Sequence, residues 1–144
     1  MRNCLIFFIC LFLMGCTVTN NAIADTPEKA LRLIESKGQG YPKILSLLNS
    51  IEISEKQVFY VYEAEINSNK EWFVANLEKN DDSKWFVHES INIGMPNSEN
   101  EIYAAGTNTF TAGLSNDLQE IKDDWIVINI PSHNYFVWIE LHGD

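Results

Sequence analysis

The segment QVFYVYEAEI, residues 57–66, decides the fold together with the two runs that follow it, EWFVANLEK at 71–79 and KWFVHESINI at 84–93. Each run is rich in aromatic and β-branched residues and alternates along its length, which is typical of β-strands. Short polar turns at 67–70 and 80–83 separate the runs. The sequence therefore predicts an antiparallel meander over residues 57–93.

Strict alternation also predicts which residues share a face of the sheet, because successive side chains of a strand point to opposite sides. In the third strand it places two sets on opposite faces: Trp85, Val87, Glu89 and Ile91 on one, and Phe86, His88 and Ser90 on the other. We expect Trp85 and Ile91 to lie on the same face of the sheet.

The residues before the meander predict a helix over 27–37. Thr26 can cap its N-terminus, Pro27 suits the first helical position and Gly38 suits the end. Its apolar residues recur at helical spacing: Ala30, Leu31, Leu33 and Ile34. This stripe needs a surface to cover it, so the helix is expected to pack on the sheet, which gives an α+β fold class.

The remaining segments are less regular. Residues 43–49 (KILSLLN) fit either a helical turn before a short strand at 51–54 or the start of a longer strand, and we favour the turn. Residues 94–100 are predicted to be a linker to a second β segment, 101–144. Its strands are predicted as follows: 101–105, 107–113, 118–122 and 125–130, the last pairing in a terminal hairpin with 135–142.

The N-terminus has the arrangement of segments that is typical of an export signal. Arg2 supplies a positive charge, residues 5–14 form an unbroken apolar run, and small residues follow at Gly15 and Cys16. The run is too short to cross about 30 Å of hydrocarbon as a helix. We therefore interpret residues 1–15 as a signal peptide.

The segment Leu13-Met14-Gly15-Cys16 resembles the lipobox of bacterial lipoproteins. This resemblance implies cleavage before Cys16, diacylation of its thiol and attachment of the protein to a membrane. Residues 16–25 then form a flexible tether, and 26–144 form one α+β domain. A second cleavage motif, Ala22-Ile23-Ala24, offers the alternative of a freely secreted protein cut after Ala24.

Charge and cysteine content narrow the classes of function. The chain has 20 acidic and 10 basic residues, and removal of the signal takes away Arg2, which leaves a net charge of −11. Such a surface repels phosphate backbones, so no nucleic-acid partner is expected. All three cysteines, Cys4, Cys10 and Cys16, lie in or beside the signal, so the domain is expected to fold without disulfides.

No known catalytic pattern is found in the domain. The HExxH motif, the calcium-binding loop, the nucleophile elbow and the phosphate-binding loop are all absent from the sequence. A hydrolase using Glu63, Glu65 or His142 is the weakest alternative, because two carboxylates on one strand usually lie on the solvent-exposed face of a sheet and form no catalytic pair. No enzyme activity, cofactor or metal is expected. Three tryptophans are candidate binding residues for a groove: Trp72, Trp85 and Trp138.

Several short motifs suggest a family. They are P-E-x-A-L at 27–31, V-F-Y-V-Y-E at 58–63 and W-F-V at 72–74 and again at 85–87. In this order, behind such a leader, they resemble small lipoproteins of Gram-positive, Bacillus-type bacteria over about residues 16–91. The resemblance implies a location and an approximate fold, and it implies no activity or site.

The sequence thus predicts a lipid-anchored module on the extracytoplasmic face of a bacterial membrane. Its expected partners are the membrane, through a lipid on Cys16, and a protein, peptide or envelope component. The alternative is a freely secreted inhibitor or effector.

Overall fold

The computed structural model of the chain describes residues 22–38, 40–96 and 104–143. In chain order its elements are β1 Ile23–Ala24, α1 Pro27–Arg32, β2 Lys43–Ser54, β3 Gln57–Ile66, β4 Asn69–Lys79, β5 Trp85–Gly94, β6 Ala104–Gly106, β7 Phe110–Ser115, β8 Ile126–Ile130 and β9 Tyr135–Leu141, with 3₁₀ turns at Glu35–Lys37 and Leu118–Glu120.

The strands form two antiparallel sheets. The first sheet has five strands in the order β1-β5-β4-β3-β2, and the second has four in the order β6-β7-β9-β8. The meander β3-β4-β5 is confirmed, and β3 and β4 pair without a break around Asn67 and Ser68. Both turn residues have positive φ, as the type I′ turn of a two-residue hairpin requires. The α+β fold class is confirmed.

The two sheets pack face to face around an apolar layer that we call the inter-sheet core. The first sheet contributes Phe59, Val61, Trp72, Val74, Ile91 and Ile93, and the second contributes Phe110, Ala112, Leu114, Ile128, Ile130, Val137 and Ile139. These residues alternate with outward-facing ones along their strands, which is how facing sheets build a common core. Both halves of the described chain therefore belong to one folded unit.

The opposite face of the first sheet carries α1 and forms a second layer, the helix-side core. Its buried members are Ala30, Leu31, Ile34, Ile44, Val58, Tyr60, Tyr62, Ala64, Phe73, Ala75 and Leu77. Thr26 caps the helix by accepting a hydrogen bond from the backbone N–H of Lys29 at 3.3 Å. The predicted packing of the helix on the sheet is confirmed, since α1 lies mainly over β5 and β4.

The helix is shorter than predicted. Instead of continuing to residue 37, α1 ends at Arg32, and the chain tightens into the 3₁₀ turn Glu35–Lys37. Glu35 then accepts a hydrogen bond from the backbone N–H of Ile44 at 2.7 Å. That contact joins the end of the helical region to the beginning of β2 and occupies a donor on the edge of the sheet.

The helical turn predicted for 43–49 is wrong, because these residues form the first half of the single strand β2. Three register shifts interrupt the pairing of β2 with β3, near Ile44, Leu47 and Glu52. Each shift moves the following side chains to the other face. Apolar and polar residues therefore do not alternate regularly along β2, and this alternation is the pattern by which a strand is recognised in a sequence.

A bulge in β5 also overturns the predicted faces of that strand. Asn76 pairs with Glu89, but the next residue of β4, Leu77, pairs with Val87, so His88 is the extra residue. Trp85 and Val87 consequently face the helix-side core, while Ile91 faces the inter-sheet core. The expectation that Trp85 and Ile91 share a surface is wrong for this reason.

The second β segment agrees with the prediction in part. The hairpin of β8 and β9 is confirmed. The predicted strand at 118–122 is wrong: Asp117 accepts a hydrogen bond from the backbone N–H of Gln119 at 2.9 Å and starts a 3₁₀ turn. Residues 97–103, with most of the predicted linker and the start of the strand at 101–105, lie outside the described residues.

At the N-terminus, part of the predicted tether belongs to the folded domain. Ile23 and Ala24 form β1 and pair with Phe86 and Trp85 of β5. Ala24 also packs against the helix-side core. The signal peptide, Cys16 and the tether up to residue 21 lie outside the described residues.

Candidate functional site

A pocket of about 260 Å³ lies on the helix side of the first sheet. We call it the helix-side pocket. Ile34 and Lys37 border it from the helical region, Tyr62 and Phe73 from the sheet, and Ser90 from β5. Its wall also includes Tyr41, Pro42, Val87, His88 and Glu89. The pocket lies where the helical region ends and stops covering the sheet.

The floor combines an aromatic pair with two hydroxyl groups. The rings of Tyr62 and Phe73 stack with centroids 5.3 Å apart. The hydroxyls of Tyr62 and Ser90 share a hydrogen bond of 2.8 Å. Burial raises the pKa of Tyr62 to about 12, although the bond to Ser90 opposes that rise. The phenol therefore stays protonated and can act as a hydrogen-bond donor near neutral pH.

The rim carries a single cation from the helical region. Lys37 is exposed, and its Nζ lies 5.6 Å from the ring centroid of Tyr41. Among the described residues, Lys84 and Lys122 form salt bridges and His88 lies 3.8 Å from Glu78, whereas Lys37 takes part in none of these contacts. The pocket thus joins an apolar wall, two hydroxyls and an ammonium group in one place.

Glu89 belongs to the wall of the pocket, but its carboxylate is used on the other side of β5. There it accepts hydrogen bonds from the hydroxyls of Thr107, at 2.6 Å, and Thr109. Partial burial works to raise the pKa of Glu89, but these two hydrogen bonds outweigh it and hold the pKa below its usual value. This carboxylate fastens β5 to the second sheet.

The three tryptophans predicted to line a groove lie in three separate environments. Trp72 is fully buried in the inter-sheet core, with its ring edge-on to His133 at 4.8 Å between centroids. Trp85 is half-buried beside the helix-side core, with Lys79 Nζ 4.8 Å from its ring centroid. Trp138 stacks on Trp125 with centroids 4.2 Å apart. The structure does not bring them together.

The residues of the hydrolase alternative are also kept apart. Glu63 and Glu65 lie on β3, whereas the ring of His142 contacts the hydroxyl of Thr111 at 2.9 Å and the carbonyl oxygen of Asn108 at 3.2 Å. Among the described residues, His142 makes no hydrogen bond or salt bridge with either glutamate.

Within the described residues, no three or more His, Cys, Asp or Glu side chains are grouped so that they could hold a metal ion. In the same part of the chain, no helix is long and apolar enough to cross a membrane.

Sequence reasoning missed the residues of the helix-side pocket. Lys37, Tyr62 and Ser90 come from three distant segments, and only the packing of α1 on the sheet brings them together. The β5 bulge adds to the difficulty, because Ser90 and Val87 share the helix side only as a result of it. The site could have been predicted only if the pairing register of β5 with β4 had been known.

The chain was compared with protein-family models, with curated proteins and with solved structures, and no match was found in any of the three comparisons.

Proposed function

We propose that the protein is a lipid-anchored extracytoplasmic binding module whose ligand site is the helix-side pocket. The observation that carries the anchoring is the leader that ends in Leu13-Met14-Gly15-Cys16. The observation that carries binding is the pocket, which combines an apolar wall with hydrogen-bonding groups in few, defined places. The resemblance to small Bacillus-type lipoproteins agrees with this location.

The position of β1 supports cleavage before Cys16 over cleavage after Ala24. A cut after Ala24 would remove both residues of β1, including the side chain of Ala24 that packs on the helix-side core. A cut before Cys16 keeps this strand and leaves residues 17–21 between the lipid and the domain. Free secretion remains the second candidate because Ala22-Ile23-Ala24 matches a cleavage motif.

The pocket favours binding over catalysis. Tyr62 keeps its proton because of its raised pKa, so its hydroxyl suits hydrogen bonding better than general-base chemistry near neutral pH. Ser90 is engaged with Tyr62, a protonated phenol that cannot activate it as a nucleophile. We therefore propose a non-enzymatic role in holding a ligand close to the membrane.

Fractionation of expressing bacteria tests the anchor. We expect the wild-type protein in the membrane fraction as a processed, lipidated form. The Cys16→Ala variant should yield no lipidated form, because it lacks the thiol that is acylated. Cys10→Ala is the matched control, since it changes another cysteine of the same leader. Wild-type protein found in the medium, or a lipidated pool that Cys16→Ala leaves intact, would refute the anchor.

A further inference from the structure

We propose that the helix-side pocket binds a small amphiphile that carries one carboxylate, with its apolar body in the pocket and its carboxylate at Lys37. The inference deepens the proposed function and rests on the pocket being the binding site.

The size and lining of the pocket set the body of the ligand. A volume of about 260 Å³ has room for a ligand of on the order of ten non-hydrogen atoms. Ile34 and Val87 line it with aliphatic surface, and Phe73 adds an aromatic ring. An apolar chain or ring placed there leaves water, which is the main driving force for binding in such pockets.

The hydroxyl pair provides one point of polar recognition. Tyr62 and Ser90 share a single hydrogen bond, and either oxygen can be its donor. When the Tyr62 phenol donates to the Ser90 hydroxyl oxygen, the O–H of Ser90 is not used in that bond and remains for an oxygen of the ligand. Ser90 is the exposed partner of the pair, so it is the one a ligand can reach.

Lys37 selects a carboxylate at the mouth of the pocket. The chain as a whole carries a net charge of −10 and repels anions at long range. A bound anion must therefore be held by a local positive group. Lys37 is the cation that borders the pocket, and its ammonium is exposed beside Tyr41.

The pocket also lies close to the point where the chain enters the domain. Ala22 borders a small recess that shares Ile34, Lys37 and Val87 with the pocket. Five residues separate Ala22 from Cys16, and so short a segment spans at most roughly 20 Å. In the anchored protein the pocket thus stays near a membrane surface, where amphiphiles concentrate.

Amide NMR titration with octanoate tests the proposal on the chain from Thr17 onward, which keeps every described residue. We expect shifts at Val87 and Ser90 and a Kd on the order of 1 mM, as befits a ligand of this size. Lys37→Gln should weaken octanoate binding about three- to fivefold, the effect of losing an exposed ion pair. Octan-1-ol binding should not change in that variant, because the alcohol has no charge.

Lys43→Gln is the matched control, since Lys43 is an exposed lysine at the start of β2, outside the pocket lining. It should leave both affinities unchanged. The proposal is overturned by an absence of shifts at millimolar octanoate, by shifts confined to other surfaces, or by equal effects of the two lysine variants. Because this titration uses lipid-free protein and fractionation does not use octanoate, failure of the ligand class and failure of the anchor are distinguishable.

Discussion

The two faces of the first sheet are covered to different extents, and the difference locates the candidate site. The inner face meets the second sheet, and Phe59, Val61 and Trp72 are fully buried there. The outer face meets a helix of only six residues, about 9 Å long, whereas the ten residues of β3 extend about 33 Å. The short helix cannot cover the strands to their full length, so a pocket remains beside it.

The most deeply buried side chains and the candidate site lie on opposite faces of this sheet. On the inner face, large apolar side chains fill the space between the sheets and leave Trp72 without access to a ligand. On the outer face, apolar and polar groups share a surface that solvent reaches, as ligand sites generally require. Substitutions on the two faces should therefore lower the stability of the protein to different extents.

The largest expected effect is at the centre of the inner face. Trp72→Ala should lower the free energy of unfolding by about 3–5 kcal/mol, because it leaves a cavity in the inter-sheet core. Trp85→Ala should cost clearly less, since Trp85 is only half-buried. Denaturant unfolding of both variants measures the difference. Equal losses would contradict the contrast between a closed inner face and an open outer one.

An intermediate effect is expected where the helix docks on the outer face. Leu31→Ala should lower the free energy of unfolding by about 2 kcal/mol, because Leu31 is fully buried but lies in a short helix that can adjust. Leu33→Ala, in the half-buried residue that follows the same helix, is the matched control and should cost less. Thermal unfolding of the pair tests whether Leu31 anchors the helix. A larger loss for Leu33→Ala would mean that the helix packs differently.

The smallest expected effect depends on pH and concerns the link between α1 and β3. The Tyr60 hydroxyl donates a hydrogen bond to Glu28, which holds the pKa of that carboxyl below its ordinary value of 4.5. The lowered pKa means that this contribution to stability is present above about pH 5 and is lost as the pH falls further. Tyr60→Phe should remove about 0.5 kcal/mol at neutral pH, the size of a solvent-screened interaction.

Unfolding of the wild type and Tyr60→Phe, compared at neutral and acid pH, measures that effect. The gap between the two proteins should close as Glu28 becomes protonated. A gap that widens in acid would show that the pKa of Glu28 is raised in the folded protein, and the assigned contact would then be wrong.

Much of the fold could be predicted, because local pattern and tertiary structure agree in the meander. β3 and β4 keep one register from Gln57 to Ile66, so each side chain lies on the face that alternation assigns to it. In β2, three register shifts break the alternation, and a strand of leucines and serines resembled a helix. Prediction failed where the backbone departed from a regular ladder.

The candidate site could not be predicted, because it is formed by structural features that leave no recognisable pattern in the sequence. Ser90 reaches Tyr62 because a bulge at His88 resets the faces of β5. The pocket lies at the end of the helical region, where α1 has already ended at Arg32 and not at residue 37. Neither a bulge nor an early helix end leaves a distinctive pattern here, so the tryptophans drew attention and Lys37 did not.

The intact mass of the processed protein, taken from separated membrane and medium fractions, tests the central claim most directly. We predict a membrane-bound mass that begins at Cys16 and includes acyl chains, and that disappears in Cys16→Ala. A lipid-free mass that begins at Asp25, found in the medium, would contradict the account. It would also show that β1 is removed from the mature protein.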